Sequence, residues 1–142
     1  MSPRRVLETA LYVTDVAAAE HFYGQVLGLQ LFSRETDHHA FFRCGDGMLL
    51  LFNADRTVHQ DHLVNGSRIP PHGTHGAGHI AFAMEASEID SWRAKLIAHG
   101  VAIESEVNWP QGGYSIYFRD PSGNSLELAT PEVWARTPAA LD

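Results

Sequence analysis

Three polar residues in this chain, Glu8, His79 and Glu127, are the strongest candidates for chemistry. Glu8 and His79 each open a segment in which large apolar residues alternate with small or polar ones, and Glu127 lies between Leu126 and Leu128. If these segments are strands, each of the three side chains points away from the apolar face of its own strand. Two carboxylates and an imidazole that converge on the opposite face would bind a divalent metal ion and leave coordination positions open for water or a substrate.

A structural role is the competing interpretation for each of these residues taken alone. A single histidine on a strand is more often a hydrogen-bonded core or surface residue, and single glutamates are usually solvated. The spacing favours the metal, because Glu8 and His79 are separated by 71 positions, which is half of the 142 residues. The two residues therefore occupy equivalent places in two halves of the chain.

The two halves follow one pattern of predicted elements. Each begins with a strand, continues with a helical stretch that ends at a glycine (Gly28 or Gly100, 72 positions apart), and finishes with three more strands. Such a repeat indicates two copies of one supersecondary unit, neither of which buries its apolar face alone. We therefore predict an α+β fold of two β-α-β-β-β modules with curved sheets.

Local signals set the boundaries of these elements. Asp15 is a predicted N-cap for a helix over residues 17–27, and Ser87 with Asp90 three residues later resembles a capping box. The modules are predicted at about residues 6–53 and 78–130. Residues 54–77, which are polar and rich in Gly, Pro and His, form a linker, an active-site flap or both, and residues 131–142 form a tail.

Composition excludes several classes of function. The formal net charge of −7, with no basic stretch, argues against a nucleic-acid partner. No segment approaches the roughly 20 apolar residues that a membrane helix needs, and the N-terminal residues show no apolar run of signal-peptide length. Cys44, the single cysteine, cannot form an internal disulfide, which suits a reducing compartment. We expect a soluble, cytoplasmic protein.

Several longer segments match the pattern of a known superfamily. They are Leu11–Asp15, Phe22–Tyr23, Val26–Leu29, Gly78–Phe82 and Tyr117–Leu128. The last is the most specific, because a turn, a glycine and a carboxylate occur in register. By these segments the chain, over roughly residues 6–130, resembles the vicinal oxygen chelate superfamily, which includes glyoxalase I, extradiol dioxygenases, fosfomycin-resistance enzymes and bleomycin-binding proteins. The resemblance implies a fold in which the two modules form a cup.

The resemblance also implies a ligand set. His79 and Glu127 occupy the usual His and Glu ligand positions, and Glu8 falls where many members carry a His or Gln. Two carboxylates and one His form a hard, anionic set, which favours one Mn(II), Fe(II), Mg(II) or Zn(II) ion over softer metals. The strand at residues 48–53 lacks the carboxylate that glyoxalase I uses as a fourth ligand. Orthodox glyoxalase I activity is therefore not expected.

The function that follows is that of a divalent-metal-dependent enzyme acting on a small oxygen-bearing substrate by chelation, of the lyase, isomerase or dioxygenase type. The alternative is a metal-free protein of the bleomycin-resistance type, which sequesters a small molecule or antibiotic. A third, weaker interpretation is a structural or regulatory homodimer with a relic site.

Further residues are candidates for roles around the metal. Substrate binding is predicted for aromatic and cationic side chains, namely Tyr12, Arg43, Trp109 and Tyr114. Both carboxylates are consumed as ligands, so catalytic proton transfer is assigned to Glu127 detaching from the metal, to a bound hydroxide, or to a linker histidine such as His72 or His75. Open sheets leave strand edges for another chain to cover, which predicts a homodimer, with the site formed within one chain or between two.

Overall fold

The computed structural model describes residues 1–135 of the chain. Within this range ten strands form two four-stranded sheets and one two-stranded ribbon. The strands are β1 (Glu8–Tyr12), β2 (Gln30–Glu35), β3 (His39–Cys44), β4 (Gly47–Phe52), β5 (His62–Val64), β6 (Ser67–Ile69), β7 (His79–Ala83), β8 (Ile103–Asn108), β9 (Tyr114–Arg119) and β10 (Ser125–Ala129). The described residues divide into two compact units, the first of residues 1–78 with 120–124 and the second of residues 79–119 with 125–135.

The sheet of the first unit has the order β1-β4-β3-β2, with β1 parallel to β4 and the other pairs antiparallel. Helix α1 (Val16–His21) begins as predicted, since the Asp15 side chain accepts a hydrogen bond from the Ala18 amide at 3.0 Å. It continues into a π-helical turn, Phe22–Val26, where the sequence predicts ordinary α-helix. The helical stretch ends at Gly28, whose φ of 73° is the left-handed conformation that glycine adopts readily.

The core of the first unit consists of apolar side chains from the helix and from one face of the sheet. Tyr23 of the π-helical turn is fully buried, as are Phe42, Leu49 and Leu51 of the sheet. Leu11 is buried too, as the alternation in β1 predicts, whereas Glu8 and Ala10 on the other face are exposed. The side of the sheet away from the helix is therefore the side that carries Glu8.

The sheet of the second unit repeats this order as β7-β10-β9-β8, with β7 parallel to β10. Helix α3 (Ile89–Ala98) buries Leu96, and the strands bury Ile116, Phe118, Leu126 and Leu128. The capping box differs from the one expected at Ser87 and Asp90. It is formed by Glu85 and Glu88, because a short 3₁₀ turn, Ala86–Glu88, precedes the α-helix.

Residues 54–77, predicted as a linker or flap, contain regular structure of their own. Helix α2 (Ala54–Thr57) follows Asn53, whose side chain caps it by accepting from the Asp55 amide. Strands β5 and β6 form a hairpin closed by Asn65 and Gly66, with φ values of 49° and 78°. Two such left-handed residues are typical of a type I′ turn.

The predicted fold class is confirmed, since each unit combines a four-stranded mixed sheet with a helix in the β-α-β-β-β order. The tail predicted at residues 131–142 begins with a 3₁₀ turn, Pro131–Trp134, and its last seven residues, 136–142, lie outside the described range. None of the helices described is long and apolar enough to cross a membrane.

Candidate metal centre

The second unit brings two of the predicted ligands together. His79 opens β7, and Glu127 lies at the centre of the neighbouring strand β10. The distance between His79 Nε2 and Glu127 Oε2 is 3.2 Å. Glu127 is buried, while about half of the His79 side chain is exposed. The two groups therefore form a site that is closed on the Glu127 side and open on the His79 side.

The other ring nitrogen of His79 determines which tautomer is present. Its Nδ1 lies 2.9 Å from the backbone carbonyl oxygen of Ser125, which can only accept a hydrogen bond, so Nδ1 carries a proton. In the neutral imidazole, Nε2 then carries no proton, and its lone pair faces the Glu127 carboxylate. Two acceptor atoms at this distance repel each other unless a cation, a proton or a metal ion, binds between or beside them.

This arrangement passes a simple test of fit for a metal. Two ligand atoms that each lie about 2.0–2.2 Å from one ion are separated by roughly 3 Å. The observed separation of His79 Nε2 and Glu127 Oε2 is 3.2 Å. A histidine that binds a metal through one nitrogen usually donates its other N–H to a carbonyl or carboxylate, as His79 does to Ser125.

The second oxygen of Glu127 is held by a chain of hydrogen bonds. The Ser115 hydroxyl on β9 donates to Glu127 Oε1 at 2.5 Å, and the Trp109 indole N–H donates to the Ser115 hydroxyl oxygen at 2.8 Å. Trp109 begins a loop that is closed by backbone hydrogen bonds between Trp109 and two later glycines, Gly112 and Gly113. The carboxylate is therefore oriented by residues that would not themselves contact the ion.

Tyr117 is the other neighbour of the pair. It lies directly opposite Glu127 in the β9–β10 register, and its ring stacks on the His79 imidazole at 6.3 Å between centroids. Burial raises the pKa of the Tyr117 hydroxyl, and the hydrogen bond to Glu127 and the negative charge of Glu127 raise it further, although a hydrogen bond with Ser115 lowers it. The hydroxyl therefore stays protonated at neutral pH.

A cavity of about 490 Å³ opens onto this group. Besides His79, Tyr117 and Glu127, it is lined mainly by apolar and indole side chains, namely Ile80, Ala81, Trp109, Ala129, Val133 and Trp134. Polar atoms are thus concentrated at the end that holds His79 and Glu127. A ligand with oxygen atoms at one end and an apolar remainder would match this distribution.

Glu8, the third predicted ligand, lies at the start of β1 in the first unit and is exposed. In the parallel β1–β4 pair, Glu8 lies beside Met48, and Ala10 lies beside Leu50. Neither neighbour is a carboxylate, so β4 offers no carboxylate next to Glu8. The assignment of Glu8 as a ligand stays a prediction.

The other predicted site residues of the first unit have partners of their own. The Tyr12 hydroxyl lies 2.7 Å from His72 Nδ1, and burial raises the pKa of that hydroxyl. His75 Nε2 lies 2.7 Å from an Asp55 carboxylate oxygen. Each pair includes a histidine of the segment after β4, and the predicted roles of Tyr12, His72 and His75 in substrate binding and proton transfer stay predictions.

Arg43 and Tyr114, which the sequence also predicts as substrate contacts, have partners within their own units. The Arg43 guanidinium in the first unit lies over the Phe32 ring at 4.8 Å. Tyr114 alternates with Ser115 on β9 and so lies on the helix side, where its hydroxyl accepts a hydrogen bond from Arg93 at 3.4 Å. Within the second unit, Trp109 is the predicted substrate-binding residue that lines the same cavity as His79 and Glu127.

Two residues around Glu127 were not among the sequence-derived candidates, Ser115 and Tyr117. Both lie on the same face of β9 as Glu127 does on β10, because the hairpin through the turn at residues 120–124 pairs Glu127 with Tyr117. The alternation of Ile116 and Phe118 with polar neighbours is visible in the sequence. This alternation, together with the turn that sets the register of β9 with β10, places Ser115 and Tyr117 on the same face as Glu127.

A protein-family model covers most of the chain. The model of the glyoxalase/bleomycin resistance protein/dioxygenase superfamily matches residues 5–128. The chain belongs to this superfamily, as the resemblance in its sequence predicts.

The chain is similar to several named proteins. It is 29% identical over 119 residues to the metallothiol transferase FosB of Staphylococcus saprophyticus, covering 83% of this chain and 71% of that one. It is 29% identical over 135 residues to the glutathione transferase FosA of Serratia marcescens, covering 93% and 84%. The structure of a lactoylglutathione lyase from Agrobacterium tumefaciens superimposes with a TM-score of 0.88 at 39% identity, covering 96% of this chain and all of that one.

Proposed function

We propose that this protein is a divalent-metal-dependent enzyme that binds a small oxygen-bearing substrate at the His79–Glu127 pair. The observation that carries the proposal is the 3.2 Å approach of His79 Nε2 to Glu127 Oε2, with Nδ1 of the same ring committed to the Ser125 carbonyl. Glu8 is the third ligand that the sequence predicts. Two carboxylates and one imidazole suit Mn(II), Fe(II), Zn(II) or Mg(II).

The cavity supports a particular class of substrate. Its polar end would bind neighbouring oxygens, and its indole and aliphatic walls would bind an apolar or sulfur-containing remainder. The relatives named metallothiol transferase, glutathione transferase and lactoylglutathione lyase each have a thiol or a glutathione derivative in their names. We therefore infer that a low-molecular-weight thiol, or an adduct of one, takes part in a transfer, lyase or isomerase reaction here.

Each residue around the pair would have a separate role in such a reaction. A bound divalent ion supplies Lewis-acid stabilisation of negative charge on a substrate oxygen. Ser115 and Tyr117 would hold the Glu127 carboxylate in one orientation, and Trp109 and Trp134 would contact the apolar part of the substrate. Proton transfer is assigned to Glu127, with His72 and His75 as the alternatives that the sequence suggests.

The experiment that tests the proposal compares metal-free protein with protein reloaded with Mn(II), Fe(II), Zn(II) or Mg(II). Each form is assayed with hemithioacetals, catechols, epoxides and 2-oxo acids, in the presence and absence of glutathione and smaller thiols. Activity should appear with a metal and should be lost in His79→Ala and Glu127→Gln. Activity that survives in both variants would contradict the assignment of the site.

The competing function is sequestration of a small molecule without a metal. The two indoles in the cavity favour it, because flat aromatic side chains bind extended apolar ligands well. Tight binding of an unaltered compound by metal-free protein, together with no turnover by any metal-loaded form, would establish that function instead.

A further inference from the structure

A second cluster of ligand-type side chains lies in the first unit, at the turn between β2 and β3. It consists of three side chains, each of which offers one nitrogen or oxygen atom that could bind a metal, and these atoms all lie within 4.8 Å of one another. Among residues 1–135 it is the one group of three or more His, Cys, Asp or Glu residues with this property. The three residues are Glu35, His38 and His39, here called the hairpin cluster. It shares no residue with the His79–Glu127 site.

The hairpin itself brings the cluster together. Glu35 ends β2 and lies directly opposite His39, the first residue of β3. The turn is closed by a hydrogen bond from the His38 amide to the Glu35 carbonyl at 3.0 Å, and Asp37 adopts the left-handed conformation, with φ of 58°. A second backbone bond, from the Asn53 amide to the His38 carbonyl at 2.9 Å, fixes the turn against the end of β4.

The two imidazoles point their Nδ1 atoms at each other. His38 Nδ1 and His39 Nδ1 are 2.9 Å apart, so in neutral rings one of them must carry the proton between them. Two nitrogens bound to a tetrahedral ion at about 2.0–2.1 Å would be roughly 3.3 Å apart, so the rings need to separate by only a few tenths of an ångström. Replacing the shared proton by a metal ion therefore requires little movement.

The outer contacts of the two rings suit a metal ligand. The Ser33 hydroxyl lies 3.4 Å from His39 Nε2 and can accept a hydrogen bond from that nitrogen when the ring proton is on Nε2 and Nδ1 is free to bind a metal. The His39 ring stacks on Phe41 at 4.0 Å between centroids, and Phe52 meets both imidazoles edge-on at 6.3 Å. Both rings are half-buried, which limits their rotation and their hydration.

More imidazoles line the same space. The cluster lies on the wall of a cavity of about 740 Å³ whose other lining residues include His59, His62 and His72. A fourth ligand, from one of these side chains or from water, is therefore within the same cavity. A set rich in imidazole with one carboxylate suits Zn(II), Co(II), Ni(II) or Cu(II) better than Mg(II) or Ca(II).

We propose that Glu35, His38 and His39 form a second metal site, specific for imidazole-binding transition metals such as Zn(II). The site stands on the first unit alone, so it does not depend on the function proposed for His79 and Glu127.

The test uses the full chain without an affinity tag, in a His79→Ala background that removes the first site. Zn(II) is titrated against a competing chromophoric chelator, and Co(II) is used as a spectroscopic probe. The background protein should bind one equivalent with the absorption of a tetrahedral or five-coordinate Co(II) site. Adding Glu35→Gln and His38→Ala should lower the affinity for Zn(II) by more than about 100-fold, since replacing a residue that only hydrogen-bonds to a metal ligand already costs about 10–100-fold.

The matched control is His99→Ala, because His99 is an exposed histidine at the end of α3 and far along the chain from the hairpin. It should leave Zn(II) affinity unchanged. NMR spectra of the imidazole nitrogens should show the shifts of His38 and His39 on addition of one equivalent. The single change Glu35→Gln, at an exposed position, keeps the test valid if the double variant loses its fold. Absence of an equivalent in the background protein, or equal loss in the His99 control, would overturn the proposal.

Discussion

At the scale of single residues, the orientation of the His79–Glu127 pair comes from atoms that are not candidate ligands. The Ser125 carbonyl fixes the tautomer of His79, and the Ser115 hydroxyl fixes one oxygen of Glu127. Both hydrogen bonds restrict the rotation of the ligand side chains. Preorganised ligands lose little freedom on binding, so this pair should bind a metal more tightly than two surface side chains of the same types.

Removing either member of the pair should abolish tight metal binding without unfolding the protein. We expect Glu127→Gln or His79→Ala to lower affinity for Mn(II) or Zn(II) at the His79–Glu127 site by more than about 100-fold. Replacing a residue that only hydrogen-bonds to a metal ligand already lowers affinity by about 10–100-fold, and loss of the ligand itself should cost more. Calorimetry with chelator-stripped protein measures the affinity, and circular dichroism measures the fold. A variant that lost its secondary structure yet kept the ion would reverse the assignment.

The hydrogen bond from Ser115 offers a finer test of the site. Ser115→Ala leaves Glu127 Oε1 without its 2.5 Å donor and interrupts the link to the Trp109 indole. We expect metal affinity to fall about 10–100-fold, with the ligands themselves intact.

The control for this change is Ser91→Ala, since Ser91 is exposed on α3. It removes the same hydroxyl from a place without contact with the site. Equal affinities of the two variants would show that Ser115 does not position Glu127.

At this scale the sequence predicts the candidate ligands, whereas it does not reveal the residues that hold Glu127 in place. Glu127 stands out because a carboxylate between Leu126 and Leu128 interrupts an apolar strand. Ser115 has no such contrast with its surroundings, and its importance depends on which side of β9 it occupies. That side follows from the register of β9 with β10, which the structure fixes at Glu127 opposite Tyr117.

At the scale of elements, the composition of β4 bears on the reaction. The strand reads Gly-Met-Leu-Leu-Leu-Phe, and Met48 and Leu50 are the neighbours of Glu8 and Ala10 on β1. An aliphatic or thioether side chain neither binds a hard divalent ion nor removes a proton from carbon. We expect little isomerisation of glutathione hemithioacetals by protein loaded with Mn(II), Fe(II) or Zn(II).

The measurement is the formation of thioester from the hemithioacetal of methylglyoxal, followed by absorbance. The expected rate is near that of metal in buffer, while another substrate class shows metal-dependent turnover. Efficient isomerisation would refute the argument from β4 and would make the chain a glyoxalase in spite of its leucines.

The loop after β8 provides an element-scale test of stability. Gly112 and Gly113 both have positive φ, of 106° and 94°. A methyl group on Gly113 would meet the Val133 amide nitrogen and side chain at 2.6 Å, whereas one on Gly112 would meet nothing within 4 Å. Gly112→Ala should therefore cost only backbone strain, about 1–3 kcal/mol.

Gly113→Ala should cost that strain and roughly 1–3 kcal/mol more, since the clash is with backbone that cannot move alone. Chemical unfolding of both variants measures the difference. Trp109 fluorescence reports whether the loop shifts. Equal unfolding free energies would show that the contact with Val133 is readily relieved.

Element boundaries were predictable where two signals coincided. The sequence predicts strands at residues 39–44, 114–119 and 125–129, and β3, β9 and β10 have these bounds, because alternation and a turn agree there. The π-helical turn at Phe22–Val26 was missed, since helical spacing does not distinguish it from an α-helix. The β5–β6 hairpin is not among the predicted elements although Asn65-Gly66 is a strong hairpin signal, because the polar, Gly-, Pro- and His-rich composition of residues 54–77 favours a linker.

At the scale of the whole molecule, each four-stranded sheet has two edge strands that pair on one side only within that sheet, β1 and β2 in the first unit and β7 and β8 in the second. Apolar side chains accompany the β1 edge, where Val6 is 74% and Leu7 is 63% exposed just before the strand begins. An exposed edge with apolar neighbours is a surface that a second chain can cover. We therefore predict a homodimer that buries this surface.

Leu7→Glu should convert such a dimer to a monomer, because a carboxylate would have to lose its hydration in the interface. The control is Ile97→Glu on α3, where the replaced side chain is also 63% exposed. Light scattering at micromolar concentration should give twice the mass of the chain for the wild type and for the control. Because each chain carries a formal charge of −7, added salt should strengthen the association by screening repulsion. A wild-type protein with the mass of one chain at all salt concentrations would refute the prediction.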